Sequence, residues 1–508
     1  MRILNASYSR MPSRCASLNF RSYFSSLKPT IKDLFISPPS IESTISTQGH
    51  IKSIRQFKNI GFIDLSDGTT FHNLSVVLQD PESTLSELHL KVGQSINVAG
   101  KWIASKGTQK YELLYNPEAN DHNLQVIGDV EDAYPIQKKS QTYQFLRGLP
   151  TLRHRTASLA SMLRFRSFME TKLMEFFNSQ NFTKTTPPLI TSSDCEGAGE
   201  QFKVEQLHKK EVVVNGAVQE EHFFGKPAFL TVSTQLHLEV LALSLNRAWT
   251  LTPCFRAEDS NTNRHLSEFW MLEAEICYID HVSQLTDFTE DMIRYVTGAL
   301  KSEAINEQSS GHSTDLLSSR FKKEELETLK NRWDAIMAPQ KWPSVTYSEA
   351  IDIINKVKNK NKLKNRLTWG DDIQTEHEKW LAGTHFQSPV FITDYPRSQK
   401  PFYMPKSHSS VYNPERPTVA CYDLILPEIG ELVGGSMREH DYNNLVQEMK
   451  RRNMNLKEMD WYLSTRLNGT VPHGGFGMGF ERLLSYIGAM ENVKDVIPFP
   501  RVPQSCTC

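Results

Sequence analysis

At 508 residues and 58.1 kDa the chain is long enough for two or three domains and a large core. A formal net charge of −1, with 39% hydrophobic and 23% charged residues, excludes a protein that coats nucleic acid through bulk positive charge, so any RNA contact must use local basic patches. No apolar run reaches membrane-span length, and the seven cysteines include no C-x-x-C unit, which argues against a zinc site or a secreted disulfide framework.

From Met1 to Lys28 the chain carries Arg2, Arg10, Arg14 and Arg21 among serines, with no acid before Asp33. That composition predicts a mitochondrial presequence over 1–28, processed near Phe24. Residues 40–120 then read as five short strands, HIKSIRQF, IGFIDLSDG, NLSVVLQD, QSINVAGKWIAS and KYELLY, separated by turn residues. Five strands in so short a span predict a small β-barrel of the OB type. Residues 121–145 are polar and contain Pro135, and read as a linker.

A second domain is expected over 146–508. It opens with a helical pattern from Thr156 to Asn181, carrying Leu159, Leu163, Phe165, Met169, Leu173 and Phe176 near helical spacing. The loop CEGAGEQF from Cys195 to Phe202 pairs two glycines with two acids, and an acid on a mobile loop can meet an ammonium group. The polar stretch 203–226 gives no reading. Trp249 to Arg256 and Glu268 to Ile276 read as strands joined by a polar turn, with Arg256, Glu258, Arg264, His265 and Glu268 crowded onto the hairpin. So many ionisable groups on a half-buried hairpin demand partners, and a polyanionic ligand is the economical one. Residues 280–380 are mostly helical in pattern, with charge runs that suit solvated faces. In YDLILPEIGELVGGSMR the acids Asp423 and Glu431 flank a strand connection, and such a pair beside a triphosphate suits magnesium, a hard cation that takes oxygen ligands. Cys506 and Cys508 read as a flexible tail.

The wording FRAE, a polar loop, RHL and EFxMLE resembles motif 2 of the class II aminoacyl-tRNA synthetases, in the aspartate, asparagine and lysine subgroup. GGFGMGFERLL, from Gly474 to Leu484, resembles their motif 3, and the helix, strand and proline ending at Pro188 resemble motif 1. The resemblance implies an α+β fold: an N-terminal OB-fold β-barrel that binds the anticodon, joined to a catalytic domain with an antiparallel sheet of six or seven strands flanked by helices. It also implies a homodimer through the region of Pro188. FFGKPAFL and QLHLE resemble the asparaginyl branch, because Leu238 stands where aspartyl enzymes keep a lysine for the substrate carboxylate. Thr234 and Asp259 depart from that branch's usual glycine and asparagine.

The same resemblance implies the substrates asparagine, ATP with Mg2+, and tRNA(Asn). It assigns Arg256, Glu258, His265, Leu266, Phe269, Glu431, Gly479, Phe480, Glu481 and Arg482 to ATP, with Arg256, Arg482 and Glu431 catalytic. Glycines 474, 475, 477 and 479 are expected to admit the nucleotide to the backbone. Glu196, Gln235, Arg256 and Arg438 are assigned to the amino acid, and Asp423 and Glu431 to the metal. In the barrel, Phe62 is the expected stacking ring, Arg55 a basic contact and Asn73 a base-edge reader; core packing is the other reading of Phe62. An aspartyl enzyme and a non-catalytic tRNA-binding relative are the alternatives.

Overall fold

Alternating apolar residues build the N-terminal unit. In the computed structural model its strands are β1 (Thr44–Gln56), β2 (Ile60–Ser66), β3 (Leu74–Gln79), β4 (Ser95–Ala104), β5 (Tyr111–Tyr115) and β6 (Asn123–Gly128). The structure describes residues 27–107, 109–193, 201–207, 211–214, 217–220, 222–305, 312–319, 322–357, 363, 366–408 and 413–508, and divides into units 1–139 and 140–508. Most of the expected presequence therefore lies outside the described residues. β1 pairs with both β2 and β4, so the order β1-β2-β3-β5-β4 closes on itself. Only β3 and β5 run parallel. This is the barrel expected of an OB-fold. A bulge between Ile51 and Ser53 bends the long first strand so that it can serve both neighbours. Period-two burial along β4 sends Ile96, Val98 and Trp102 inward, against Ile63, Leu65, Val76 and Leu113.

β6 corrects the linker reading, since it lies within 121–145 and pairs with β4. Its own pattern is short, with Leu124 and Val126 facing the barrel and Ile127 exposed, and pairing to β4 supplies what that pattern lacks.

The C-terminal unit is organised on one sheet. Its strands are β7 (Thr183–Lys184), β8 (Arg247–Phe255), β9 (Glu268–Cys277), β10 (Ser344–Thr346), β11 (Val390–Thr393), β12 (Cys421–Leu426), β13 (Gly430–Arg438) and β14 (His473–Gly479). They lie in the order β10-β11-β12-β13-β14-β9-β8-β7. The six strands from β11 to β8 are antiparallel, and one parallel strand is added at each edge. The edge strands are two and three residues long, and they bring the sheet to eight strands where the resemblance implies six or seven.

Five helices position the sheet and its groups: α1 (Ala157–Ser179), α2 (Gln235–Leu245), α3 (Val282–Ile305), α4 (Thr375–Trp380) and α5 (Phe480–Ile487). Side chains of α1, α3 and α5 share the main core with one face of the sheet, where Phe177 stacks on Trp249 at 4.4 Å. Leu272, Ala274 and Ile276 of β9, Tyr422 and Leu424 of β12, and Phe476 and Met478 of β14 enter this core. By the period of two, Glu273, Glu275, Asp423, Gly475 and Gly477 lie on the opposite face. The register then aligns them: Asp423 pairs with Gly434, Gly434 with Gly477, and Gly477 with Glu273. Two carboxylates therefore end a row whose middle is two glycines, about 14 Å apart at ordinary strand spacing. The absent side chains leave a trough across the open face.

Candidate active site

At one end of the trough the β8–β9 hairpin is closed by the Arg256 N–H, which donates to the Ser267 carbonyl at 2.9 Å. The Arg256 guanidinium lies over the Phe269 ring at 5.5 Å and comes to 4.0 Å from Glu258. Leu266 is buried with Val493 and Ile497, and Phe269 packs against that cluster, so Leu266 supports the ring. His265 Nδ1 lies 2.9 Å from Ser260 Oγ and 2.8 Å from Thr262 Oγ1. Burial, then Arg482, with Arg264 and Arg256 adding to them, holds this imidazole below its ordinary range. Arginines from the hairpin and from α5 thus act on one ring. Arg482 also donates to the Glu431 carbonyl at 3.3 Å.

Acids gather beside these arginines. A Cβ built on Gly434 would lie 3.4 Å from Glu431 Oε1 and 3.6 Å from Asp423 Oδ1, so both carboxylates converge over a residue that has no side chain. An all-oxygen pair of this kind fits magnesium. Among the described residues no three His, Cys, Asp or Glu side chains are arranged to hold a metal by themselves, so phosphate oxygens would have to complete the coordination. Lys400 Nζ donates to both Asp423 oxygens, at 2.8 and 2.6 Å. Burial disfavours that ammonium, but Asp423 outweighs it and holds Lys400 above its ordinary range. Glu378 of α4 accepts from the Glu431 N–H at 3.3 Å; burial first, and then the Glu431 charge, push it up to about 7.

A deeper polar pocket is built on Arg438. Its Nη2 donates to Glu275 Oε1 at 2.5 Å and its Nη1 to Ser436 Oγ at 2.5 Å, and its guanidinium stands 5.2 Å from the Tyr403 ring centroid. Burial outweighs Arg438 and pushes Glu275 up to about 7. Gly475 makes this pair possible, because a Cβ there would sit 2.2 Å from Glu275 Oε1. Behind the pair, the fully buried Glu239 accepts from Arg466 at 2.8 Å, Tyr462 at 2.7 Å and Gln235 Nε2 at 3.0 Å, with His473 Nε2 at 3.2 Å. Burial opposes ionisation of Glu239, yet Arg466 and His473 hold it well below its ordinary range. With its amide nitrogen engaged in this way, Gln235 has its carbonyl oxygen as the acceptor for a cation. Glu273 accepts from the Ser233 and Thr234 hydroxyls and from the Thr234 N–H at 2.9 Å.

Two expected nucleotide contacts have other employment. Both Glu481 oxygens are taken, one by Arg166 Nη1 at 2.7 Å and the other by the Trp270 N–H at 2.9 Å. Phe480 is fully buried in the main core, with the Arg166 guanidinium over its ring at 4.9 Å. Their side chains brace α5 against α1 and β9; they look like motif-3 contacts in sequence because the chain enters α5 right after the trough. Gly474 and Gly475 likewise make room for neighbouring protein atoms, whereas at Gly477 and Gly479 a Cβ would meet nothing closer than 3.5 Å. Leu238 is buried with Ala242, Ala248 and Cys277. Glu196 lies outside the described residues. Glu239, Glu273, Glu275, Glu378, Lys400, Arg466 and His473 were not foreseen. The one local signal for them was the EAE alternation at 273–275, which places two acids on one face of a strand.

In the barrel, Arg55 and Phe62 are cross-strand partners, with the guanidinium 5.3 Å from the ring centroid and Asp64 accepting from Arg55 at 3.0 Å. Phe62 is half-buried. Phe57, at 58% exposure, meets Phe62 edge-on at 6.1 Å, an aromatic that the sequence reading passed over. Asn73 precedes β3, four positions from the Phe62 partner Val77, so it stands roughly 13 Å along the strand from the pair.

Residues 146–503 match the family described as tRNA synthetases class II (D, K and N). The mitochondrial asparagine–tRNA ligase of Saccharomyces cerevisiae is 45% identical over 494 residues, covering 94% of this chain and 96% of that protein. The asparagine–tRNA ligase of Borreliella burgdorferi is 36% identical, covering 95% of this chain and 99% of that one. Among solved structures, asparaginyl-tRNA synthetase from Pyrococcus horikoshii complexed with asparaginyl-adenylate superposes with a TM-score of 0.77 at 26% identity, covering 95% of this chain and 99% of that one.

Proposed function

The chain belongs to the class II tRNA synthetases of the D, K and N group, and from that premise we propose that it ligates asparagine to tRNA(Asn) for mitochondrial translation. The observation that carries the choice of amino acid is the Arg438–Glu275 pair. A guanidinium and a carboxylate side by side offer a donor and an acceptor, which match the oxygen and the NH2 of a carboxamide. An aspartate side chain would set its own charge against Glu275, and no lysine stands at 238 to offset it. Preferring asparagine by a thousandfold needs only about 4 kcal/mol.

The reaction follows from the layout of the trough. The asparagine carboxylate attacks the α-phosphorus of ATP, the α–β bridging oxygen leaves with pyrophosphate, and asparaginyl adenylate forms. A ribose hydroxyl of the terminal adenosine of tRNA then attacks the acyl carbon and releases AMP. Neither step needs a protein nucleophile, so catalysis rests on alignment and charge stabilisation by Arg256 and Arg482. Glu258 and His265 are further ATP contacts, and adenine stacks on Phe269 once the Arg256 guanidinium gives up that face. Asp423 and Glu431 would hold magnesium, which supplies positive charge to the phosphates. Gln235 and Glu196 receive the α-ammonium. In the barrel, Phe62 and Arg55 take an unpaired anticodon base and its phosphate, with Asn73 as edge reader. The short edge strand β7 and exposed Pro188 form the homodimer surface, and the working compartment is the mitochondrial matrix.

Amino-acid-dependent ATP–pyrophosphate exchange tests this reading. Asparagine alone should drive exchange. Exchange driven by aspartate would make the chain an aspartyl enzyme, and no exchange with either would make it a non-catalytic relative.

A further inference from the structure

The carboxylate assigned to the metal is already held. Lys400 donates to both Asp423 oxygens, at 2.8 and 2.6 Å, with side-chain exposures of 17% and 12% for the two partners. The ammonium also stands 4.0 Å from the Tyr395 ring centroid. Its backbone is fixed as well: Arg452 Nη2 donates to the Lys400 carbonyl at 2.6 Å and to the Arg397 carbonyl at 3.0 Å. Arg452 is held in turn by Glu448 at 2.8 Å. The lysine is thus aimed at Asp423 by a chain of part-buried contacts, which distinguishes it from an exposed ion pair of small worth.

The surroundings already hold several cations. The carboxylates of Asp423 and Glu431, with Glu378 partly protonated beside them, face the cations of Lys400, Arg264 and Arg482: Arg482 bonds the Glu431 carbonyl, and a Cβ on Gly430 would meet both Glu378 Oε2 and Arg264 Nη2. A divalent cation entering this set alone would have to displace an ammonium from Asp423 and add two positive charges to a cluster that already holds three cations. Entering with a triphosphate, it brings more negative charge than positive, and Lys400 gains a phosphate oxygen as an alternative partner.

We propose that Lys400 is a positioning residue that reserves Asp423, so that the divalent cation binds only together with the nucleotide triphosphate. This rests on the assignment of Asp423 and Glu431 to the metal.

The test is Mn2+ binding to the full-length protein, read by electron paramagnetic resonance of free Mn2+, with and without a non-hydrolysable ATP analogue. Wild type should bind Mn2+ in a saturable way only with the analogue. Lys400→Met should raise the affinity for Mn2+ alone by roughly tenfold or more, since the competing charge is gone, and Lys400→Arg should restore the wild-type pattern. Lys400→Gln serves as a second neutral variant should the methionine variant not fold. Nucleotide-independent binding by wild type, or a folded neutral variant indistinguishable from wild type, overturns the proposal. The metal assignment has its own arm: Asp423→Asn should lose Mn2+ binding in the presence of the analogue, and unchanged binding there would sink the assignment whatever Lys400 does.

Discussion

Arg438 and Glu275 meet at 2.5 Å on neighbouring parts of the sheet, and Glu275 lies where any side chain on Gly475 would have to be. Replacing Glu275 by Gln keeps the shape and removes the charge that opposes aspartate. The ratio of asparagine to aspartate in ATP–pyrophosphate exchange should then fall by about tenfold or more, the worth of roughly 1.4 kcal/mol. An unchanged ratio would place the discrimination elsewhere.

Arg256→Ala should abolish adenylate formation and leave tRNA binding intact, because the barrel and the hairpin belong to different units. Exchange measured beside a tRNA filter-binding titration separates the two, and a normal exchange rate would reject the assignment of Arg256.

Phe62→Ala should weaken tRNA charging by about 1–3 kcal/mol, the worth of one base–aromatic stack, while exchange stays at the wild-type rate. Equal losses in both assays would point to misfolding instead.

Glu481→Ala should cost about 1–3 kcal/mol of stability, because it takes a buried acceptor from Arg166 and from the Trp270 N–H while Arg166 keeps Glu170 at 3.3 Å. Thermal unfolding reads this directly. A variant with an unchanged melting temperature and a raised KM for ATP would return Glu481 to the nucleotide.

Glu378 sets a pH dependence. Its folded value of about 7 lies above its ordinary 4.5, so between those limits the folded protein holds a proton that the unfolded chain has released. Stability from this group therefore falls as pH rises from about 4.5 to 7 and is level above that. Glu378→Gln should flatten the melting-temperature profile in that window, and an unaltered slope would mean the group titrates normally.

What was legible in the sequence was local. The hairpin expected at Trp249–Arg256 and Glu268–Ile276 forms at Arg247–Phe255 and Glu268–Cys277, so a loose alternation on either side of a polar turn was enough to find it. The barrel was legible for the same reason, as five alternating runs. What stayed hidden were groups whose meaning depends on a distant partner. Glu239, in QLHLE, looks like an ordinary helix acid until Arg466, 227 positions on, closes over it. Lys400 and Glu378 sit in loop and helix wording that says nothing of Asp423 or Glu431. Phe480 and Glu481 run the other way: a recognisable phrase suggests ligand contacts, and the two side chains turn inward to Arg166 and the main core.

The strand that gives Gly477 to the row between Asp423 and Glu273 carries a second glycine, Gly475, opposite Glu275, and that one has a mutational corollary. Along most strands a methyl group is the mildest change a codon can make; at Gly475 it would strike the backbone oxygen of Ala274 and the acid beside it, each 2.2 Å from the new carbon. Alanine scanning, which treats alanine as silence, would there read as one of the loudest positions in the chain.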